Sequence, residues 1–500
     1  MADVYESYFF GEAQEPGNEE QLFIHSYAYA DRWDVEQQVN KPAKYSHNPV
    51  LMPDQLWEQA VGMPNVLYDQ EAGMFRMWYA LYDSAAYGYQ YGTSHWDAKL
   101  HGYPYMISYA ESPDGIHWDK PLFDRIPYGG FGRTNIVFTG IKKAQEFHVL
   151  HSPEPVRERG RFMLCYRDNL EDHRNCLNIA FSDDGIDWKE YEDNPIYKPA
   201  LDMQSCLIYD DRRGIWLLYA RPHALAVKEP LYRRENIRTR CSVAVSEDLR
   251  EWAPARVILA PDELDRDFFF DRMSAMKYGN QFVGFVTVQP RDGDGNGYME
   301  LVSSPDGLSW YRSPVREPFI GPGREGDWDG GHTWMLPNLT SVGEWIYMYY
   351  VGSHRPWRTA FPENTRAIGM ARMRRGRFAA QYAGIDGGYL LSREIKVSGN
   401  RLLVNCARQH RAFSRRESGS LKVELFDRTS SPHTQSHAIE GYSFDDCEAI
   451  SINGVGIQVR FNGSPDISAL MGKNVYLRFF LKATHLFGYQ FVNVGDKDYT

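Results

Sequence analysis

A chain of 500 residues that is 43% hydrophobic can bury a large core, and its length exceeds what one core usually holds, so two domains are expected. The net charge of −11, without a long basic run, argues against nucleic acid as a partner. No stretch approaches the ~18 apolar residues of a membrane helix, and Met1-Ala2-Asp3-Val4-Tyr5-Glu6 lacks the basic start and apolar run of a secretory signal, so a soluble, cytoplasmic chain is expected, with no membrane partner.

Cys165, Cys176, Cys206, Cys241, Cys406 and Cys447 are spread without CxxC pairs, which predicts free buried thiols rather than disulfides or a zinc site. The 15 histidines show no HExxH spacing, so neither a metal nor a cofactor is expected. Aromatic residues make up 14% of the chain, a content suited to β-structure and to stacking against flat ligands such as sugars.

A short motif recurs: Ser112-Pro113-Asp114-Gly115-Ile116-His117-Trp118, Ser182-Asp183-Asp184-Gly185-Ile186-Asp187-Trp188, the degenerate Ser246-Glu247-Asp248-Leu249-Arg250-Glu251-Trp252, and Ser304-Pro305-Asp306-Gly307-Leu308-Ser309-Trp310. The tryptophans follow one another at 70, 64 and 58 residues, a spacing that fits a four-stranded propeller blade with generous loops. Within each copy, Ser and Asp side chains suit the amides of a tight turn and Gly supplies positive φ. These aspartates therefore read as turn formers.

In chain order, the first blade is expected to use Pro64–Tyr68, Met74–Tyr79, Tyr105–Ala110 and the strand opening at Trp118. The second follows with His148–Leu150, Arg161–Tyr166, Leu177–Phe181 and Trp188, and the third with Ser205–Tyr209, Ile215–Tyr219, Cys241–Val245 and Trp252. A fourth uses Met273–Tyr278, Gln281–Val288, Tyr298–Ser303 and Trp310. The fifth offers Trp334–Leu339, Trp345–Val351 and Ala367–Met373, then ends in Arg377-Phe378 without the turn motif. After Asp386, alternating strands at Arg401–Asn405, Leu421–Phe426, Gly456–Phe461 and Val475–Phe480 lack that motif and read as a β-sandwich. The expected fold is all-β: a five-bladed β-propeller over 1–385, carrying the catalytic site, followed by a C-terminal β-sandwich over 386–500.

This architecture resembles the propeller glycoside hydrolases of the invertase and fructanase group (family 32), with the arabinan-degrading propellers of family 43 as cousins. Glu424-Leu425-Phe426-Asp427, Gly441-Tyr442-Ser443 and Gly472-Lys473-Asn474-Val475-Tyr476-Leu477-Arg478-Phe479 look like the closing module attached to many such enzymes. The acid motifs are altered. Where family 32 has Asp before Pro-Asn, this chain reads Met63-Pro64-Asn65; its Arg-Asp-Pro corresponds to His151-Ser152-Pro153, and its Glu-Cys to Ser205-Cys206. The invertase mechanism therefore cannot run here on the invertase residues.

In a propeller, the starts of the inner strands and the loops joining second to third strands share one face, and the Asp-Gly turns point to the other. That face collects Glu58, Glu146 with His148, Asp202 with Gln204, Asp267 with Asp271, and Glu325, Asp327, Asp329 and His332. Glycoside cleavage needs one carboxylic acid to protonate the leaving oxygen and another carboxylate to activate water or attack the anomeric carbon. Glu58, Asp202 and Asp271 are the expected catalytic acids. His148, Arg167, Asp168, Arg221, Asp327, Asp329 and His332 are the expected substrate contacts, the rim arginines either meeting ligand or pairing with neighbouring aspartates.

The expected function is a glycosidase cleaving a furanoside or related oligosaccharide with paired carboxylates in the propeller tunnel. The furanose preference comes from the resemblance alone. The alternatives are a glycoside phosphorylase, with rim arginines holding phosphate, and a non-catalytic carbohydrate-binding propeller. The sandwich is expected to brace the propeller flank or to join copies into a homo-oligomer.

Overall fold

The computed structural model describes residues 13–83, 86, 102–170, 173, 175–222, 240–265, 267–290, 295–334, 336–356, 365–408, 419–427 and 438–493, the side chains of 202–204 and 222 apart. Five antiparallel sheets follow one another along the chain, and two more form a sandwich.

Each of the first four sheets is a meander of four strands. The first runs Ala60–Asp69, Met74–Tyr82, Tyr105–Ser112 and Ile136–Phe138; the second Gln145–His151, Phe162–Asp168, Cys176–Ser182 and Lys189–Glu190. The third uses Leu201–Asp210, Ile215–Pro222, Cys241–Ser246 and Arg256–Leu259, and the fourth Phe268–Tyr278, Gln281–Pro290, Tyr298–Ser304 and Tyr311–Arg312. In the fifth sheet the inner strand is broken into His332–Trp334 and Thr340–Val342, both paired with Trp345–Ser353, and Arg366–Arg374 follows. Its outer strand comes from the other end of the chain: Ala43–Lys44 pairs with Arg372 and Ala371.

Alternation along the second strands explains how the sheets stack, because successive side chains point to opposite faces. Phe162, Leu164 and Tyr166 of the second sheet pack with Trp78 and Tyr109 of the first, whereas Met163 and Cys165 pack with Trp216 and Leu218 of the third. Leu217 and Tyr219 of the third face Phe270 and Phe282 of the fourth. Val283 and Phe285 of the fourth meet Ile346, Met348 and Tyr350 of the fifth, and Tyr349, Ile368 and Met370 of the fifth meet Val61, Phe75 and Met77 of the first. Five sheets, each packed on its two neighbours, thus close into a ring. Each fully buried large side chain in these layers contributes roughly 1.5–3 kcal/mol.

The recurring turns pin that ring together. Ser112 Oγ accepts the Gly115 amide at 2.8 Å, and Asp114 Oδ1 accepts the Ile116 and His117 amides at 2.8 and 2.9 Å. Ser182 with Asp184 and Ser246 with Asp248 bond the same way, and in the fourth copy Asp306 Oδ1 accepts the Leu308 and Ser309 amides while Ser304 Oγ accepts the Asp306 amide. The turn glycine then receives an aromatic side chain from the preceding sheet. Trp78 Nε1 donates to the Gly185 carbonyl at 2.7 Å, Tyr219 to Gly307 at 2.8 Å and Tyr349 to Gly115 at 2.8 Å, the last contact joining the fifth sheet to the first. Gly185 has φ +78°, and a Cβ there would lie 2.4 Å from the Trp78 ring.

Sheet membership differs from a division at residue 386. One sandwich sheet takes Gln21–Leu22, Glu36–Val39 and Ala379–Ala383 alongside Arg401–Arg408, Gly454–Gln458 and Thr484–Val492. The other takes Tyr29–Trp33 with Gly388–Ser392, Ile395–Lys396, Ser420–Phe426 and Asn474–Lys482. Its core includes Phe23, Tyr29 and Val35 beside Leu390, Leu421, Phe479 and Phe491. Leu22, Ile24, Phe378 and Ala379 join the core between the fourth and fifth sheets, so the sandwich rests on that flank. All six cysteines are buried without a disulfide.

Candidate active site at the axial mouth

The inner strands share one irregularity at the same height. Pairing with the second strand shifts between Gly62 and Asn65, between Asp202 and Cys206, and between Phe270 and Arg272; in the second sheet it shifts opposite Cys165 and Arg167, around Glu146. The fifth inner strand breaks between Trp334 and Thr340. Met63 and Glu146 take φ of +48° and +51°. An extra residue in one strand bends it and re-aims a side chain. Here the bends sit where five strands approach the axis, at the end of the ring opposite the Ser-Asp-Gly turns.

Residues from non-adjacent sheets meet there. Glu146, on the inner strand of the second sheet, accepts Arg272 Nη1 at 2.9 Å, and Arg272, on the inner strand of the fourth, also donates Nε to Asp271 at 2.9 Å. All three are buried. Burial alone would lower the Arg272 pKa, but Glu146 and Asp271 outweigh it and push it up. Arg272 holds Asp271 through Oδ2 and Glu146 through Oε2; the second oxygen of each makes no hydrogen bond among the described residues.

The first and fifth sheets complete the mouth. Tyr82 ends the second strand of the first sheet, and its hydroxyl lies against the inner strand, where a Cβ on Gly62 would come within 2.7 Å of it. Burial pushes its pKa up to about 12, with the Arg366 charge opposing. The Arg366 guanidinium carbon lies 5.4 Å from both the Tyr82 and the Trp334 ring centroids. His332 packs 4.4 Å from Trp334, and burial, reinforced by Arg366 and Arg272, lowers its pKa to about 3, so it is neutral. Its Nδ1 accepts the Gly297 amide at 3.1 Å, which leaves the proton on Nε2, 3.4 Å from the Gln289 side-chain nitrogen. Turning that amide brings Oε1 to face the Nε2 proton and supplies the partner this buried oxygen otherwise lacks.

The second and third sheets add cations and a buried histidine. Arg167 donates to the Leu201 carbonyl at 2.8 Å and Arg221 to the Asp271 carbonyl at 3.2 Å, so each reaches the inner strand of the next sheet. Asp168 is fully enclosed, accepting the amides of Ile141, Lys142, Lys143 and Asn169; burial pushes its pKa up to about 6 against those bonds. It therefore shapes the loop carrying Lys143. Lys143 is buried beside Arg167 and Glu146, and burial followed by the Arg167 charge lowers its pKa to about 7. His148 is buried on the inner strand, its pKa lowered to about 4 by burial, with Nδ1 making no hydrogen bond among the described residues.

Of the three expected catalytic acids, Asp271 stands in this cluster. Asp202 starts the inner strand of the third sheet, its backbone paired with Arg221, and its side chain lies outside the described residues. Glu58 is elsewhere. It is buried, with Oε2 accepting Lys120 Nζ at 2.6 Å and the amides of Asp54 and Gln55, while Oε1 accepts the Tyr79 hydroxyl at 2.5 Å. That saturated carboxylate braces the turn before the first inner strand. Asp327 is exposed and caps the Arg324 amide at 2.7 Å. Asp329 accepts Lys44 Nζ at 2.6 Å and the Tyr350 hydroxyl at 2.9 Å, fastening the N-terminal strand to the fifth sheet. His223, Arg291, Asp292, Trp357 and Arg358 lie outside the described residues.

Arg272, Arg366 and Lys143 were not legible as site residues. The dipeptide Asp271-Arg272 after Phe268-Phe269-Phe270 carried a signal, because two opposite charges at the head of an apolar strand need a buried partner. Arg366 had none: it opens a third strand, and only the fold brings it to Tyr82.

No family model matches the chain. Two uncharacterized proteins of Mycobacterium tuberculosis, from strains ATCC 25618 / H37Rv and CDC 1551 / Oshkosh, are each 26% identical over 147 residues, 29% of this chain and 40% of the relative. The chain thus spans about two fifths of the length of the curated relatives it matches. Among solved structures, a fructofuranosidase from Schwanniomyces occidentalis complexed with fructose is similar at 11% identity and TM-score 0.42, with 90% of this chain and 97% of that one covered. A thermostable family-43 glycoside hydrolase is similar at 13% identity and TM-score 0.42, covering 63% and 89%. An α-L-arabinofuranosidase from Podospora anserina in complex with cellotriose reaches 10% identity and TM-score 0.41, covering 69% and 97%.

Proposed function

We propose that the protein is a glycosidase working at the axial mouth, with Asp271 and Glu146 as its carboxylate pair and Asp202 as the third acid. The observation that carries this reading is the Glu146–Arg272–Asp271 chain, which joins carboxylates from two non-adjacent sheets across the axis. Glycoside hydrolysis needs a carboxylate that takes a proton as water bonds to the anomeric carbon, the role given to Asp271 or Glu146, and an acid that gives a proton to the departing oxygen as the C–O bond breaks. Arg272 fixes the orientation of both carboxylates and leaves one oxygen of each for substrate or water. Asp202, at the same end of the third sheet, is the candidate proton donor.

The test is hydrolysis of a panel of aryl glycosides and oligosaccharides by the intact chain, with product analysis. Asp271→Asn and Glu146→Gln are each expected to lower kcat by about 10²-fold or more, the usual range for loss of a general acid or base. Matching circular dichroism of the variants separates chemistry from folding. Wild-type kcat in Asp271→Asn, or no cleavage of any glycoside by the wild type, would overturn the reading.

A further inference from the structure

Resting on that reading of the axial mouth as a glycoside site, we propose that its ligand carries an anionic group, a carboxylate or a phosphate, received by Arg366 together with Arg272. The half-buried Arg366 guanidinium stands against the rings of Tyr82 and Trp334, each 5.4 Å away. Ring stacking attracts a cation but does not neutralise it. Among the described residues no carboxylate forms an ion pair with Arg366, and Glu146 and Asp271, the acids of this cluster, are bound to Arg272. The nearby histidine is neutral, and Lys143 adds a further basic group beside Glu146.

A guanidinium held partly out of water without a counter-charge is costly, and a ligand oxyanion supplies the charge that no described carboxylate gives Arg366. The planar fork of arginine matches carboxylate and phosphate oxygens in pairs. The wall also argues against a purely neutral sugar. Tyr82 and Trp334, which could have offered bare faces to a sugar ring, lend those faces to a cation.

Calorimetric titration of the full chain tests this with glucuronic and galacturonic acids, their neutral partners glucose and galactose, glucose 1-phosphate and inorganic phosphate, at low and high salt. At least one charged probe should bind tenfold or more tighter than its neutral partner and weaken as salt rises. Arg366→Gln should remove at least tenfold of that affinity, and Arg366→Lys should restore part of it. Preference for the uronic acids marks a carboxylate; preference for glucose 1-phosphate and phosphate marks a phosphate. Equal binding of charged and neutral sugars, charged binding unmoved by Arg366→Gln, or no charged probe bound would overturn the proposal. Turnover separates the two readings. Cleavage of neutral glycosides without charge preference sinks the anionic group and leaves the glycosidase, whereas tight charged binding without turnover of any glycoside does the reverse.

Discussion

Gly297 shows how narrowly single residues define the mouth. A Cβ there would lie 2.0 Å from the His332 ring, so Gly297→Ala must expel that ring or shift the strand. The expected result is a drop in kcat/KM of about tenfold or more, about 1.4 kcal/mol or more of lost transition-state stabilisation, read by steady-state kinetics on whichever glycoside the panel identifies. The buried histidines also set a pH response. His148 titrates near 6.5 ordinarily but at about 4 in the fold, so between those values the unfolded chain holds the extra proton. Stability therefore falls as pH drops from 6.5 towards 4, by up to ~1.4 kcal/mol per pH unit for this group. His332 acts in the same direction down to about 3. Asp168 opposes them, because its folded pKa of about 6 exceeds the ordinary 3.8 and the folded chain holds the extra proton in between. His148→Gln should accordingly lose less melting temperature than wild type between pH 6.5 and 4; parallel curves would contradict the assignment. At this scale the positions of Asp271 and His332 at the axial mouth were legible, because acids and histidines stand out before inner strands. Glu58 stood out for the same reason, yet Lys120 and Tyr79 saturate it away from that cluster, which sequence does not show.

At the scale of elements, the turn motif was readable because its chemistry is local: Ser and Asp bond amides two and three residues on. Its second role is non-local, since each turn glycine receives an aromatic residue that precedes it by a whole sheet or, at Gly115, follows it by 234 residues. Gly185→Ala combines a positive φ with a clash against Trp78 and should cost about 3 kcal/mol or more, measured as a fall in denaturant midpoint. Tyr349→Phe removes only the buried hydrogen bond to Gly115 and should cost about 1–2 kcal/mol. A change below ~0.5 kcal/mol in both would show that these contacts do not hold neighbouring sheets together. The bends in the inner strands were invisible beforehand, because the expected strands Pro64–Tyr68 and Met273–Tyr278 begin at or beyond them within Ala60–Asp69 and Phe268–Tyr278.

Across the whole molecule, the five sheets and the sandwich were legible from repeat spacing and from the change of pattern after the fifth sheet. The path of the N-terminal segment was not. Its strands are two to five residues long and lack a strong alternation, so only long-range pairing reveals them. A chain begun at residue 46 would lose the Lys44–Asp329 clasp and three sandwich strands, and should give little soluble protein and no single cooperative melt. Normal yield with a wild-type melt would contradict that dependence. The same pairing constrains synthesis. Gln21–Val39 emerges from the ribosome roughly 340 residues ahead of its first strand partner, Ala379–Ala383, an interval on the order of tens of seconds at ~5–20 residues per second. Throughout that wait the nascent chain carries Phe23, Tyr29 and Val35 without the surface that covers them, so a holdase that shields its leading end should raise the yield of finished molecules.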